Sequence, residues 1–143
     1  MSKVRDILLN RVLFHVEESQ SVADVARRMA EFRVGAILVL QDGQLRGVFS
    51  ERDLMLRVVL QALPPENTPV SAVMTTRVAT VDESDSLEEA MEAMHRNNCR
   101  HLPVLREGHV VGFLSMRDLM SFELARQTEE LRHMHAYIHG VGA

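Results

Sequence analysis

A nine-residue stretch occurs twice in the chain, as GVFSERDLM at 47–55 and as GFLSMRDLM at 112–120, with six of the nine positions identical. Asp53 and Asp118 set the offset at 65 residues, and the correspondence runs backwards from them without a gap. Ser50 meets Ser115, Gly47 meets Gly112 and Gly43 meets Gly108; Val39-Leu40 meets Val104-Leu105, Met29 meets Met94, Ser21 meets Ser86 and Val16 meets Val81. About a third of the positions from 16 to 55 are identical, and most of the rest keep their apolar or polar character. An ungapped match of this length marks a duplicated supersecondary unit. A chain of 143 residues has the size of one compact domain, or of two small units sharing a core, so the copies must pack together.

Each copy reads as strand, helix, strand, strand, helix. VLFHV at 12–16 is a short strand. Ser21 can N-cap a helix over 22–33, whose Val22, Val25, Ala26, Met29 and Ala30 recur at helical spacing. AILVL at 36–40 is an apolar run short enough for a buried strand. Asp42-Gly43 is a hairpin-type turn, 45–50 the return strand, and a second helix runs from Ser50 or Glu51 toward Leu63. In the second copy the strands are 78–81, 101–105 and 110–115, the first helix is 86–97 capped by Ser86, and another helix begins near Met116. The expected division is a first repeat over 1–62, a linker over 63–69, a second repeat over 70–122 and a helical extension over 123–143. The linker LPPENTP carries three prolines in seven residues. Aromatics are only 4% of the chain, with no Trp and nine Met, so aliphatic and Met side chains must fill the interior.

A net charge of −4 provides no basic field for nucleic acid. No apolar run approaches the ~20 residues that span a bilayer, so no membrane role is expected. The N-terminus lacks a signal-peptide pattern, and the one cysteine, Cys99, agrees with a reducing compartment; the expected location is the cytoplasm. No Walker loop, HExxH, CxxC or nucleophile elbow is present, and Ser-x-Arg-Asp has no placed His base, so the chain is not expected to be an enzyme.

Ser50-x-Arg52-Asp53 and Ser115-x-Arg117-Asp118 admit two readings. One is helix capping, with Ser at a strand end and a carboxylate in the first turn. The other is ligand binding: free amides and Ser for an anion, Arg for phosphate, and Asp as acceptor for ribose hydroxyls. The two are compatible. Arg100-His101-Leu102-Pro103 reads either as a basic strand edge where Pro ends pairing, or as groups aimed at phosphate.

These residues, together with the hydrophobic-Pro-Val strand in RHLPVL and the leading segments VRDILLN and VSAVMTT, resemble a tandem pair of CBS domains over roughly residues 3–122. The resemblance implies an α/β (α+β) fold of two β-α-β-β-α repeats related by a pseudo-twofold, with packed sheets and outer helices. It implies a regulatory module for an adenosine-containing ligand: AMP, ADP, ATP or NAD(H), with S-adenosylmethionine less favoured. It also implies a homodimer and an effector protein that reads the signal. Composite clefts follow from it. One pairs Ser50, Arg52 and Asp53 with Met74, Val78, Ala79, Arg100, His101 and the Pro103 strand. The other pairs Ser115, Arg117 and Asp118 with Leu9, Leu13, Phe14, Val34, Gly35 and Ala36. The first is expected to hold phosphate better, because Gly35 and Ala36 stand where the second copy has Arg100 and His101. The first copy departs from the pattern in having Leu38 at the place of Pro103. A dimerisation scaffold with empty clefts is the alternative function.

His133, His135 and His139 raise a metal reading, but no acid or Cys completes it in sequence, and a solvated helix end is expected instead. Cys99 is expected to be a small buried residue rather than a redox sensor. From Met116 to His139 there is no Gly or Pro, and Met120, Leu124, Gln127, Leu131, Met134 and Ile138 alternate at spacings of four and three. That is a heptad seam with one polar position. It packs either on its own domain or against a second chain.

Overall fold

The computed structural model describes residues 2–8 and 11–138. The first copy contains β1 (His15–Glu17), α2 (Val22–Phe32), β2 (Ala36–Gln41), β3 (Gln44–Ser50) and α3 (Glu51–Asp53), preceded by a short α1 (Val4–Ile7). The second contains β4 (Val81–Asp82), α4 (Leu87–Arg96), β5 (His101–Arg106), β6 (His109–Ser115) and α5 (Met116–Ile138). Each copy builds a three-stranded sheet, β1-β2-β3 and β4-β5-β6, with a parallel first pair and an antiparallel second pair. Both hairpins carry the same irregularity, between Val39 and Leu40 and between Val104 and Leu105. The 65-residue offset therefore survives at the level of individual backbone pairings.

The caps are where the sequence places them. Ser21 Oγ accepts from Asp24 N and Ser86 Oγ from Glu89 N, both at 3.1 Å. The buried face of α2 is Val22, Val25 and Met29, and that of α4 is Leu87, Ala90, Ala93 and Met94.

Three expectations need correction. The first strand begins at His15 rather than Val12, which is exposed and contributes no apolar face. Its counterpart begins only at Val81, and here Pro103 is the reason. His15 pairs with Leu38 in the first copy, whereas the second copy's pairing starts one step later, at Val81–Val104, because proline has no N–H to donate. The helix expected to run to Leu63 is α-helical only over Glu51–Asp53. It then widens to π-type turns over Leu54–Val59 and closes at Ala62, whose φ of 54° lies in the left-handed region. Pro64 and Pro65 follow, so the helix cannot propagate.

Two buried clusters form the core, and each takes its last wall from the other copy. Val70, Val73 and Met74, from the segment that leads into the second copy, close the cluster of Val16, Val22, Val25, Met29, Ile37, Val39 and Phe49. Val4 and Ile7, from the very start of the chain, close the cluster of Val81, Leu87, Met94, Leu102, Val104, Leu114 and Leu119. Backbone bonds pin both exchanges: Val4 N donates to the Asp85 carbonyl, and Val22 N to the Thr68 carbonyl.

Candidate functional site

Strand β3 runs directly into α3, and Ser50 stands at the junction. Its Oγ accepts from Asp53 N at 3.1 Å, while its own N donates to Asp53 Oδ2 at 3.0 Å, a reciprocal capping box. Ser115 and Asp118 repeat the arrangement at the start of α5, at 3.0 and 2.9 Å. Capping, one of the two readings of the motif, is therefore present in both copies.

What the two carboxylates meet beyond the cap differs. Asp53 is buried. It accepts from the Thr75 hydroxyl at 3.0 Å and from the Ser50 hydroxyl at 3.1 Å, and Arg57 Nε lies 3.7 Å away. Arg57 in turn donates to the Met74 carbonyl at 2.9 Å. Thr75 reaches Asp53 because its backbone pairs with Val48 on the free edge of β3. That approach depends on Gly47, where a Cβ would stand 2.6 Å from the Thr75 carbonyl oxygen. Asp118 is less enclosed and takes a guanidinium instead: Arg11 Nη1 lies 2.8 Å from Oδ1. Burial works to raise the Asp118 pKa, but the bonds from Arg11 and Ser115 outweigh it and hold the carboxyl below its usual range.

Thus the motif of each copy touches the segment that leads into the other copy. His101, half-buried at the start of β5, pairs with Ser115 and stacks on Phe113 with ring centroids 5.2 Å apart. Burial pushes its pKa below the ordinary histidine value; the carboxylates of Asp118 and Glu51 pull the other way, and Arg100 adds to the lowering. His101 therefore lies within electrostatic reach of Asp118 in its own copy and of Glu51 at the head of the first copy's motif. Glu51 N donates to the Gly35 carbonyl, and Met116 N to the Arg100 carbonyl, so the middle strands and the helix starts are tied alike.

The remaining candidates fall as follows. Arg52, Arg100 and Arg117 are exposed. Met74 is buried in the first cluster, against Gly47; Pro103 is buried within β5, opposite Phe113. Val78 is half-buried, and Ala79 packs on the second cluster. Leu13 is half-buried, while Phe14 stacks on Phe32 with ring centroids 4.0 Å apart. Val34 packs on the first cluster, Ala36 is buried, and the Glu51 carboxylate rests 3.5 Å from where a Cβ on Gly35 would be. Leu9 and His139 lie outside the described residues. Among the described residues no group of three or more His, Cys, Asp or Glu side chains could hold a metal ion. Sequence reasoning missed Thr75, Arg11 and Arg57. Only Arg57 had a signal, its i,i+4 spacing from Asp53.

The family model for the CBS domain matches the chain twice, at residues 4–60 and 70–125. The CBS domain-containing protein YhcV of Bacillus subtilis is 32% identical over 128 residues, 90% of each chain. Other curated relatives are longer: the chain spans 61% of one and 19% of another. Among solved structures, a CBS-domain protein of Burkholderia ambifaria superposes with a TM-score of 0.83 at 34% identity, covering 88% of this chain and 96% of its own. A CBS domain protein of Pyrobaculum aerophilum, solved in complex with AMP, superposes with a TM-score of 0.71 at 32% identity, covering 82% and 89%. With the family model matched over both copies and these folds superposing along most of the chain, the chain belongs to the CBS-domain family as a tandem pair.

Proposed function

We propose that the chain is a non-enzymatic cytoplasmic sensor that binds an adenine nucleotide, AMP, ADP, ATP or NAD(H), and signals to an effector protein through a change in how its two copies, or two paired chains, are placed. The observation that carries the reading is the placement of His101 from the second copy within electrostatic reach of Glu51, the residue that opens the first copy's motif turn. This supports a cleft in which Arg100 and His101, at the head of a strand paired with the second copy's own turn, also face the Ser50–Asp53 turn, as phosphate binding requires. The AMP complex of the Pyrobaculum relative supports the ligand class. The reading assigns phosphate to Arg52, Arg100 and His101, ribose to Asp53, and the base to the apolar groups beside Val78 and Ala79.

The first cleft is the preferred one. A ribose hydroxyl there replaces one neutral donor, the Thr75 hydroxyl, by another, an exchange of nearly equal bonds. A ribose at Asp118 has to displace the Arg11 guanidinium, a charge-assisted bond roughly twice as strong. Loss of a charged bond worth about 1.5–3 kcal/mol weakens binding roughly ten- to a hundredfold. Calorimetric titration of AMP should show that loss in Arg100→Ala and little change in Arg117→Ala. S-adenosylmethionine, without phosphate, should bind both variants alike. Equal AMP affinity in wild type and Arg100→Ala would refute the cleft assignment.

One observation favours the scaffold alternative: both Asp carboxylates are already satisfied inside the chain. Thermal melts with AMP, ATP, NADH and S-adenosylmethionine separate the readings, since a scaffold shifts with none of them. In either reading the chains pair as homodimers.

A further inference from the structure

Helix α5 spans 23 residues, but only its first two turns belong to the body of the protein. Leu119 is its one buried residue, Met116 and Phe122 pack on the second cluster, and beyond Glu123 every described residue except Ala136 is exposed. The exposed side chains include Leu124 (66%), Leu131 (67%), Met134 (59%) and Ile138 (68%). A helical segment of this length is marginal in water without a packed face. Its apolar residues lie on one stripe, whose period is that of two helices wound together rather than of a helix lying on a globular body.

We infer that α5 pairs in parallel with α5 of a second copy, placing the second repeats of the two chains at the same end of the dimer. This rests on the homodimer proposed above and fixes its orientation. The occupant and the direction both follow from what flanks the stripe. With Leu124, Leu131 and Ile138 at a and Met120, Gln127 and Met134 at d, the g positions are Glu123, Glu130 and Tyr137, and the e positions are Ser121, Thr128 and His135. A parallel pair sets each g residue against the partner's e residue five positions on. Glu130 then faces a histidine, and Glu123 a threonine. The antiparallel register that matches every stripe position sets Glu130 against its own copy, carboxylate to carboxylate. It also buries Gln127 against Leu131 of the other chain. The parallel register sets Gln127 against Gln127, where two side-chain amides satisfy each other. Charge and polar satisfaction therefore select the same arrangement.

The test uses the full chain. Sedimentation of wild type and Leu131→Glu gives the first comparison, with dimerisation expected to weaken at least about a hundredfold from the buried unpaired charge. Direction is read by oxidation in a Cys99→Ala background. Gln127→Cys alone should cross-link to a covalent dimer, because a parallel pair brings residue 127 beside its copy within disulfide reach. Failure of Gln127→Cys to link, with linkage in a mixture of Gln127→Cys and Leu131→Cys chains, would establish the antiparallel pair and overturn the inference. A dimer that survives Leu131→Glu unchanged would overturn the seam while leaving the homodimer reading intact. A monomeric wild type would overturn both.

Discussion

Asp53 and Asp118 close the same four-residue turn in the two copies, and their backbones are capped alike, yet one accepts from two neutral hydroxyls with a guanidinium only at 3.7 Å, and the other takes a guanidinium at 2.8 Å. The difference starts in the leading segments. Thr75 lies along the edge of β3 because Gly47 has no Cβ to hold it off. At Gly112 the neighbour is the flexible Leu8 side chain rather than a backbone carbonyl, and the second carboxylate is reached by a long arginine from beyond that segment. Duplication preserved the hydrogen-bond skeleton and left the groups facing each carboxylate free to diverge. Two turns of one ancestry can therefore differ in the groups they hold at rest.

The comparison breaks most directly at the carboxylates themselves. Asp53→Ala strands the Thr75 hydroxyl and Ser50 N and should destabilise the fold by about 2–4 kcal/mol. Asp118→Ala removes a cap from a helix whose other contacts persist and releases Arg11 to water, so about 1 kcal/mol is expected. Urea unfolding of both variants measures this, and a larger loss at Asp118 would reverse the comparison. Next come the glycines. Gly47→Ala should cost about 1–3 kcal/mol as Thr75 is forced off the β3 edge, whereas Gly112→Ala should cost less because Leu8 can change rotamer. Denaturant midpoints decide between them.

Acidification sharpens the contrast, since the residue matching His101 in the first copy is Ala36. His101 is held below its ordinary pKa, so the unfolded chain takes up its proton first, near pH 6.5. The contribution is full above that pH and lost as pH falls through the folded value. Asp118, also lowered, contributes above the ordinary carboxylate range and is lost further down. His101→Gln should flatten the stability profile between pH 7 and 5. An unchanged slope would remove His101 from the account. The smallest effect concerns Glu51, whose charge would oppose the phosphate proposed near His101. Glu51→Gln should tighten AMP binding by roughly two- to fivefold. Unchanged or weaker binding would place the phosphate elsewhere.

Helices α2 and α4 were legible because Ser21 and Ser86 announce their starts and the apolar spacing follows at once. The hairpins were legible from apolar runs around Asp42-Gly43 and Glu107-Gly108. Strands β1 and β4 were misplaced toward the N-terminus because Val12 and Val78 look like strand residues, while the backbone pairing starts only at Leu38 and, past Pro103, at Val104. The π-type turns after Asp53 left no mark in composition. Of the candidate site, the Ser-x-Arg-Asp turns stood out by repetition. Thr75 and Arg11 did not, because they arrive through the exchange of leading segments, a tertiary event with no local pattern.

That exchange orders the events of synthesis. The first sheet can be completed as soon as residues 70–75 leave the ribosome. Val4 and Ile7, made well before Leu114 and Leu119, cannot be seated in their cluster until those two exist. An early segment of the nascent chain is thus seated late. A chain interrupted before Leu114 keeps Val4 and Ile7 without their cover, the kind of exposed apolar surface that chaperones and proteases engage.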